Sequence, residues 1–219
     1  MAGIKSQAQT TLSIYKVTYG LSLDDTDKPM AALVEAMTLL HKDSTYIKAY
    51  VSTEKIRVEE YGGLSPFVQI SDLTDSVSYK LFDDKNASSS MKKVALRVPL
   101  ATPKISVDVF AEDPAIFTSE EMELVLSDET EVIKNYTCHL ARFILNESAE
   151  IHVWYVKDLP QLFWDEYDYL QKVPGLPLKI VSNSSDSKFD VGIVATSIEK
   201  IQVDTSLFEV PPDYTIQSF

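Results

Sequence analysis

IHVWYVKDLPQLFWDEYDYLQKVPGLPLKI, residues Ile151–Ile180, is the part of the sequence that says most about the fold. Its first six residues are mostly β-branched, aromatic or aliphatic, and Asp158 and Pro160 close the run, which predicts a strand. Both faces of that strand are largely apolar, so we expect packed material on each side of it. Pro174-Gly175-Leu176-Pro177 predicts a rigid turn, and a second strand is predicted to begin at Leu178.

Length and charge restrict the classes of protein to consider. The chain has 219 residues, a formal net charge of −13 and one cysteine. We predict a flexible N-terminal segment over residues 1–10 and one domain over residues 11–219, long enough to bury a core without cross-links. The acidic balance argues against a nucleic-acid or anionic-membrane binder, because both need a basic surface. The chain has no apolar run long enough to span a bilayer.

The cellular location stays open on composition alone. The N-terminal residues lack the apolar core of a signal peptide. The protein is then either cytosolic, or exported with its signal peptide already removed and Met1 added. A lone cysteine does not separate the two, because a domain of this size does not need disulfides in an oxidising compartment.

Period-two alternation of apolar residues predicts strands along most of the chain. Residues 11–23 alternate throughout, and residues 45–61 have the pattern of a hairpin that turns at 52–54. The further strand patterns cover residues 67–71, 76–82, 91–98, 104–110, 132–145, 178–182, 188–196 and 197–203. Pro211-Pro212 is predicted to end the regular structure.

Two segments have helical patterns. Pro29–His41 is the clearer one, with proline in its first turn and an apolar stripe at helical spacing that includes Met30, Leu33, Val34 and Met37. A short helix is predicted near Thr118, because Thr118 and Glu121 have the spacing of a capping box ahead of Met122, Val125 and Leu126.

Together these patterns predict an α+β, mainly β fold of about ten strands. We expect a single curved antiparallel sheet, a half-barrel, with a helix and loops packed in its concave face. A closed barrel fits less well, because the helix over residues 29–41 would have to lie inside it.

Several short segments spread along the chain resemble one known family. They are Ile56–Glu59, Glu131–Cys138, Val153-Trp154-Tyr155, Pro174–Ile180 and Ser206–Tyr214. As a set they are similar to the motifs of the GLPGLI family of Gram-negative envelope proteins, which looks related to the LolA-like (LolA/LppX) lipoprotein-carrier fold.

Two positions depart from the family pattern. Leu178 stands where the namesake motif has its second glycine, and Asn135 stands where a glycine precedes Tyr136. Asparagine tolerates positive φ better than most residues, so the second change is mild, whereas the first affects the tight form of the proline-glycine turn. The resemblance implies an exported protein, periplasmic or associated with the outer membrane, with a curved sheet around an apolar groove. It implies no catalytic residues.

The residues themselves give no sign of an enzyme. The chain has no nucleophile elbow, phosphate loop, dinucleotide-binding motif or zinc-protease motif. Cys138 and His139 would point to opposite faces of a strand, so we interpret Cys138 as a buried structural thiol. His41, His139 and His152 lack ligand spacing. We therefore predict no catalytic residue, no metal and no cofactor.

The aromatic run from Phe163 to Leu170 has two interpretations. Its rings would line the mouth of a groove or stack on sugars, or Phe163, Tyr167 and Leu170 would pack down as a flap. The predicted ligand groove comprises Met30, Leu33, Val34, Met37, Trp154, Phe163, Trp164 and Tyr167. A remote third interpretation is a carbohydrate-active enzyme with a carboxylate pair drawn from Asp165, Glu166 and Asp168.

The preferred function is a non-enzymatic envelope protein that binds a lipid or acylated peptide in the groove. The alternative is an interaction or assembly module of the cell envelope that binds a protein partner through its outer surface or a sheet edge.

Overall fold

The computed structural model describes residues 11–25, 45–61, 67–83, 93–100, 105–107, 116–118, 122–184 and 189–218. The predicted N-terminal segment 1–10 and the predicted helix Pro29–His41 lie outside these residues. None of the helices that are described has the length and apolar character of a membrane span.

Strands dominate the described residues. The first seven are β1 Thr11–Asp25, β2 Ile47–Val51, β3 Lys55–Glu60, β4 Phe67–Asp72, β5 Val77–Asp83, β6 Lys93–Pro99 and β7 Ile105–Val107. The next seven are β8 Ile116–Thr118, β9 Glu123–Ile133, β10 Tyr136–Ile144, β11 Ala149–Val156, β12 Leu176–Ser184, β13 Phe189–Asp204 and β14 Thr215–Ser218. The helices within these described ranges are two short 3₁₀ segments, η1 Asp165–Lys172 and η2 Thr205–Phe208.

Twelve strands form one sheet in the order β14-β6-β5-β4-β3-β2-β1-β13-β12-β11-β10-β9, and β7 pairs with β8 separately. Two series of consecutive hairpins, β2 to β6 and β9 to β13, are joined where β1 lies between β2 and β13. β1 pairs with β13 from Thr11↔Asp204 to Asp25↔Phe189, with one bulge at Thr18/Tyr19. This seam links the two ends of the chain.

The sheet is strongly curved, as the segment between β11 and β12 demonstrates. Asp165 contacts β4 and β5, and four residues later the Tyr169 ring contacts Phe143 of β10. β5 and β10 are eight strand spacings apart, roughly 38 Å in a flat sheet at about 4.8 Å per strand. Four residues of 3₁₀ helix rise only about 8 Å. β5 and β10 therefore approach each other across this segment, which lies in the concave face of a half-barrel.

Each face of the sheet has its own packing. The larger cluster extends from β1–β3 to β10–β13 and includes Val17, Tyr19, Phe143 and Ile193. The smaller cluster comprises Ile14, Ile70, Leu81, Ala95 and Phe208. Phe208 belongs to the segment 205–214, which crosses the convex face from β13 to β6. Arg57 of β3 donates a hydrogen bond to the carbonyl oxygen of Leu207, which fixes this segment against the face.

The predicted mainly β fold and its curved sheet are confirmed, and so are most strand positions. The hairpin over 45–61 forms with its turn at 52–54. The two strands predicted over residues 188–196 and 197–203 form, from Phe189 onward, one continuous strand with a bulge.

Three local predictions are wrong. Residues 123–126 belong to β9 and are not helical, because pairing with β10 overrides the local capping signal. The pattern over 132–145 is interrupted by a two-residue turn, in which Lys134 and Asn135 have φ of 49° and 68°. Positive φ at both positions is typical of a hairpin turn that matches strand twist.

The third error concerns the end of the chain. Pro211-Pro212 does not end the regular structure, because β14 follows and pairs with β6 in parallel, Thr215 opposite Val94. The sheet is therefore antiparallel except at this edge.

Candidate binding surfaces

The segment 157–175, which we call the connector, occupies the concave face. Its apolar side chains are buried, with no exposure at Leu162, Trp164, Leu170 and Val173. The Trp164 ring lies 4.5 Å from the ring of Tyr167, centroid to centroid, and the Tyr169 ring meets Phe143 edge-on at 4.9 Å. The aromatic run thus packs down as a flap on the sheet.

Under one end of the connector the concave face is polar. Strand register places Gln69, Ser71, Ser78 and Lys80 on the same face, and the first three are almost completely buried. The Gln69 amide donates to Ser71 Oγ at 3.1 Å, and Ser71 Oγ lies 3.1 Å from Ser78 Oγ. The Gln69 side-chain oxygen accepts from the backbone N–H of Asp165 at 3.0 Å.

An ion pair completes this attachment. Lys80 contacts the Asp165 carboxylate, and about a quarter of each side chain is exposed. Glu60 and Asp168 are also buried. The concave face is therefore apolar near β10–β13 and polar near β4–β5, and the connector has apolar side chains against the first region and polar contacts with the second.

The predicted groove residues do not all meet. Met30, Leu33, Val34 and Met37 lie outside the described residues. Phe163, Trp164 and Tyr167 lie together in the connector, where Phe163 and Trp164 are buried and Tyr167 is half-buried. Trp154 lies on the other face of β11, because its neighbours Val153 and Tyr155 point into the concave face; its cross-strand neighbours are Leu140 and Lys179.

The proline-glycine turn brings the end of the connector close against the backbone of β11. A Cβ on Gly175 would lie 2.1 Å from the carbonyl oxygen of Val156, so no side chain fits there. Pro177 follows at a bulge, where Tyr155 pairs with Pro177 and Trp154 with Lys179. Bulges are where a strand tolerates a residue without an N–H. The buried Tyr19 hydroxyl donates to the Pro177 carbonyl oxygen at 2.6 Å.

Cys138 is completely buried, as predicted from its place in a strand. Burial raises the pKa of its thiol to about 11, so the thiol keeps its proton at neutral pH. Because the thiolate is the nucleophilic form, the buried thiol of Cys138 is not a nucleophile at neutral pH.

His139 and His152 each contact neighbouring side chains and do not contact each other. His152 Nε2 lies 2.5 Å from Glu150 Oε1, and its Nδ1 lies 3.0 Å from the Asn183 amide. The His139 ring lies 6.1 Å from that of Tyr155, and His41 is outside the described residues. In the part of the chain that the structure describes, His, Cys, Asp and Glu side chains form no group of three suited to a metal ion.

A shallow surface groove of about 540 Å³ adjoins the tip of the β9–β10 hairpin. It is lined by Lys134, Asn135, Tyr136, Ser197 and Ile198. The groove opens widely to solvent, so it would hold a ligand only against one side.

The outer edge of β9 is the longest free strand edge in the described residues. β9 has eleven residues, it is the last strand of the sheet, and its described partner is β10 alone. Leu126 is 54% exposed and Val132 is 70% exposed. The strand contains four acidic residues and no basic one: Glu123, Asp128, Glu129 and Glu131.

Comparison with known proteins finds similarity of fold alone. No protein-family model matches the chain, so the resemblance to the GLPGLI family stays a prediction. No curated protein matches it either.

Two crystal structures of PNGF-II, in space groups C2 and P21, match with a TM-score of 0.54 and 18% sequence identity. The matches cover 95% of this chain and 31% or 32% of PNGF-II, so the chain spans about a third of that protein. A DUF1329 family protein from Desulfovibrio piger matches with a TM-score of 0.24 and 10% identity over 91% of this chain and 90% of its own. That score is too low to support an argument.

Proposed function

We propose that the protein is a non-enzymatic interaction module that binds an extended segment of another protein at the edge of β9. The observation that carries this proposal is the eleven-residue edge strand with exposed Leu126 and Val132. A strand edge offers a row of backbone N–H and C=O groups with which a partner strand can pair. On β9 the two regular stretches lie on either side of a register shift at residues 127–129, where the Glu129 N–H donates to Ser127 Oγ at 3.1 Å. The exposed apolar side chains then gain contacts that water does not give them.

Two further observations support an outer surface as the binding surface. The connector fills much of the concave face, and its own side chains Trp164 and Leu170 are fully buried there. A fold similar to this one also forms about a third of the longer PNGF-II chain, as expected for a module that works next to other parts of a protein.

The test uses a photo-crosslinking amino acid placed at one position at a time in the native host. Val132, on the β9 edge, is the test position. Phe82 and Ile216 are matched controls, because they are also large exposed apolar residues on strands, at 43% and 52% exposure. We expect a discrete adduct of fixed stoichiometry from position 132 and none from positions 82 and 216.

A second variant separates binding from accidental proximity. Leu126→Lys should abolish the adduct at position 132, since a charge on an edge strand opposes strand addition. Equal adducts at all three positions, or an adduct that survives Leu126→Lys, would contradict the proposal.

The binding of an apolar ligand is the second proposal, supported by the aromatic cluster of Phe163, Trp164 and Tyr167 in the concave face. Because the connector fills this region, a ligand would have to displace it. Native mass spectrometry of gently extracted protein should then detect a bound lipid or acylated peptide. The periplasmic or outer-membrane location belongs to the same proposal, because it is based on the GLPGLI resemblance.

A further inference from the structure

We infer that the segment added at β9 is a strand of another protein in which apolar residues alternate with lysine or arginine. This inference rests on the proposed function, since it names the chemistry of the partner that the β9 edge selects.

The two faces of β9 differ in chemistry. Leu124 pairs with Phe143 and Leu126 with Ala141, so these leucines lie on the concave face. Thr130 pairs with His139 and Val132 with Thr137, which places them on the same face. Glu123 pairs with Ile144, Val125 with Arg142 and Glu131 with Cys138, so these three residues point to the convex face. Ser127, Asp128 and Glu129 lie at a register shift, where three residues of β9 stand opposite Leu140 alone.

A strand beside β9 would show its side chains in the same alternation. Directly opposite residues on neighbouring strands interact, and opposite charges stabilise the pair while like charges destabilise it. The best partner therefore places apolar side chains next to Leu126 and Val132. It places basic side chains next to Glu123 and Glu129, which are both exposed. Glu131 is already held by Lys179, at 3.2 Å.

The same charges oppose a second copy of this chain. Two β9 strands paired edge to edge would bring the glutamates of one convex face next to those of the other, without a basic residue in either strand. The net charge of −13 on each copy adds a long-range repulsion. The occupant is therefore a basic strand from a different protein.

Three fluorescent eight-residue peptides test this directly. All carry valine and leucine at alternate positions, and the positions between are lysine in the first, serine in the second and glutamate in the third. Affinity is measured by anisotropy at low ionic strength and again in added salt. We expect the lysine peptide to bind the intact protein and to protect β9 amides from hydrogen exchange, and the glutamate peptide not to bind.

Charge-reversed variants show whether binding depends on position. Glu123→Lys/Glu129→Lys should weaken the lysine peptide roughly tenfold, since two attractive cross-strand pairs become repulsive. The control Glu147→Lys/Glu209→Lys makes the same change in net charge at two exposed loop residues and should weaken it far less. An equal loss in both variants would mean non-specific attraction and would overturn the inference.

The remaining outcomes separate the inference from the function on which it rests. Leu126→Lys/Val132→Lys should block any strand at this edge. If the serine or glutamate peptide binds best and this variant blocks it, strand addition stands and the basic partner is refuted. If the variant blocks no peptide, the proposed function fails as well. A dimer that dissociates in this variant, by sedimentation, would also overturn the inference, since the occupant would be a second copy.

Discussion

At the scale of single residues, Gly175 occupies a position with no room for a side chain. Its backbone passes so close to Val156 that an added Cβ would lie 2.1 Å from one carbonyl oxygen and 3.1 Å from Lys157 Cα. Both obstacles are backbone atoms, which cannot rotate away. The glycine of the turn is thus required by close approach and not by an unusual φ, since no glycine of the described residues has positive φ.

Gly175→Ala should therefore lower the free energy of unfolding by about 3 kcal/mol or more, at or above the upper end for over-packed sites. Urea denaturation followed by tryptophan fluorescence measures it. Pro174→Ala is the matched control, because Pro174 is exposed, and it should change stability by about 1 kcal/mol or less. A neutral Gly175→Ala variant would show that the connector moves freely away from β11.

The two tryptophans should differ strongly in their contribution to stability. Trp164 is fully buried in the connector, whereas Trp154 is half-buried on the other face of the sheet. Trp164→Ala should cost about 3–5 kcal/mol, as large-to-small changes in a core do, and Trp154→Ala clearly less. Thermal unfolding of the two variants compares them, and a larger loss in Trp154→Ala would contradict the placement of these side chains.

Cys138 should make stability fall in alkaline solution. Its folded-state pKa is raised by burial from 9.0 to about 11, so between these values the folded protein keeps a proton that the unfolded chain loses. The stabilisation is complete below about pH 9 and is lost as pH rises toward 11.

Cys138→Ala should reduce the slope of unfolding free energy against pH in that window by up to one proton. Buried tyrosines such as Tyr19, whose pKa is also raised by burial, retain the rest of the alkaline sensitivity. A thiol reagent at pH 8 should not react until the protein unfolds. Unchanged slopes in the variant would refute the assignment.

At the scale of elements, the connector is held to the sheet by a few polar contacts in addition to its buried rings. Lys80→Met removes the ion pair with Asp165 and should cost about 1 kcal/mol, because the pair is only partly buried. It should also raise the rate of chymotrypsin cleavage within residues 157–175. Lys55→Met, which removes a comparable pair with Asp72 at 2.5 Å, is the control and should leave that cleavage rate unchanged.

Alternation of apolar residues predicts most of these elements, but it fails where two signals compete. In residues 151–156 both faces are apolar, so the pattern alone did not decide whether Trp154 or Tyr155 points inward. At 134–135 only Asn135 indicates a turn, and Lys134 with positive φ has no sequence signal. β14 follows two prolines, and its parallel pairing with β6 depends on the path of the segment 205–214 across the convex face.

At the scale of the whole molecule, the order of strands lies beyond what local patterns predict. Hairpins between consecutive strands follow from short turns, whereas the β1–β13 pairing joins residues almost a full chain apart. The β9 edge was missed for a related reason. The helical pattern near Thr118 extends to Leu126, and the next strand pattern begins at Val132, so the sequence does not place Leu126 and Val132 on one strand as the structure does.

The β1–β13 pairing also determines when the sheet can first be completed during synthesis. During synthesis β1 leaves the ribosome early, but its partner from Phe189 onward is made on the order of 10 s later, at about 5–20 residues per second. Until then β1, fifteen residues long, has only β2 beside it in the sheet, and β2 pairs with Tyr15–Tyr19 alone. The exposed part of β1 therefore needs protection until β13 has been made. A ribosome-bound chain stopped before residue 189 should bind chaperones, and one extended well past residue 204 should release them.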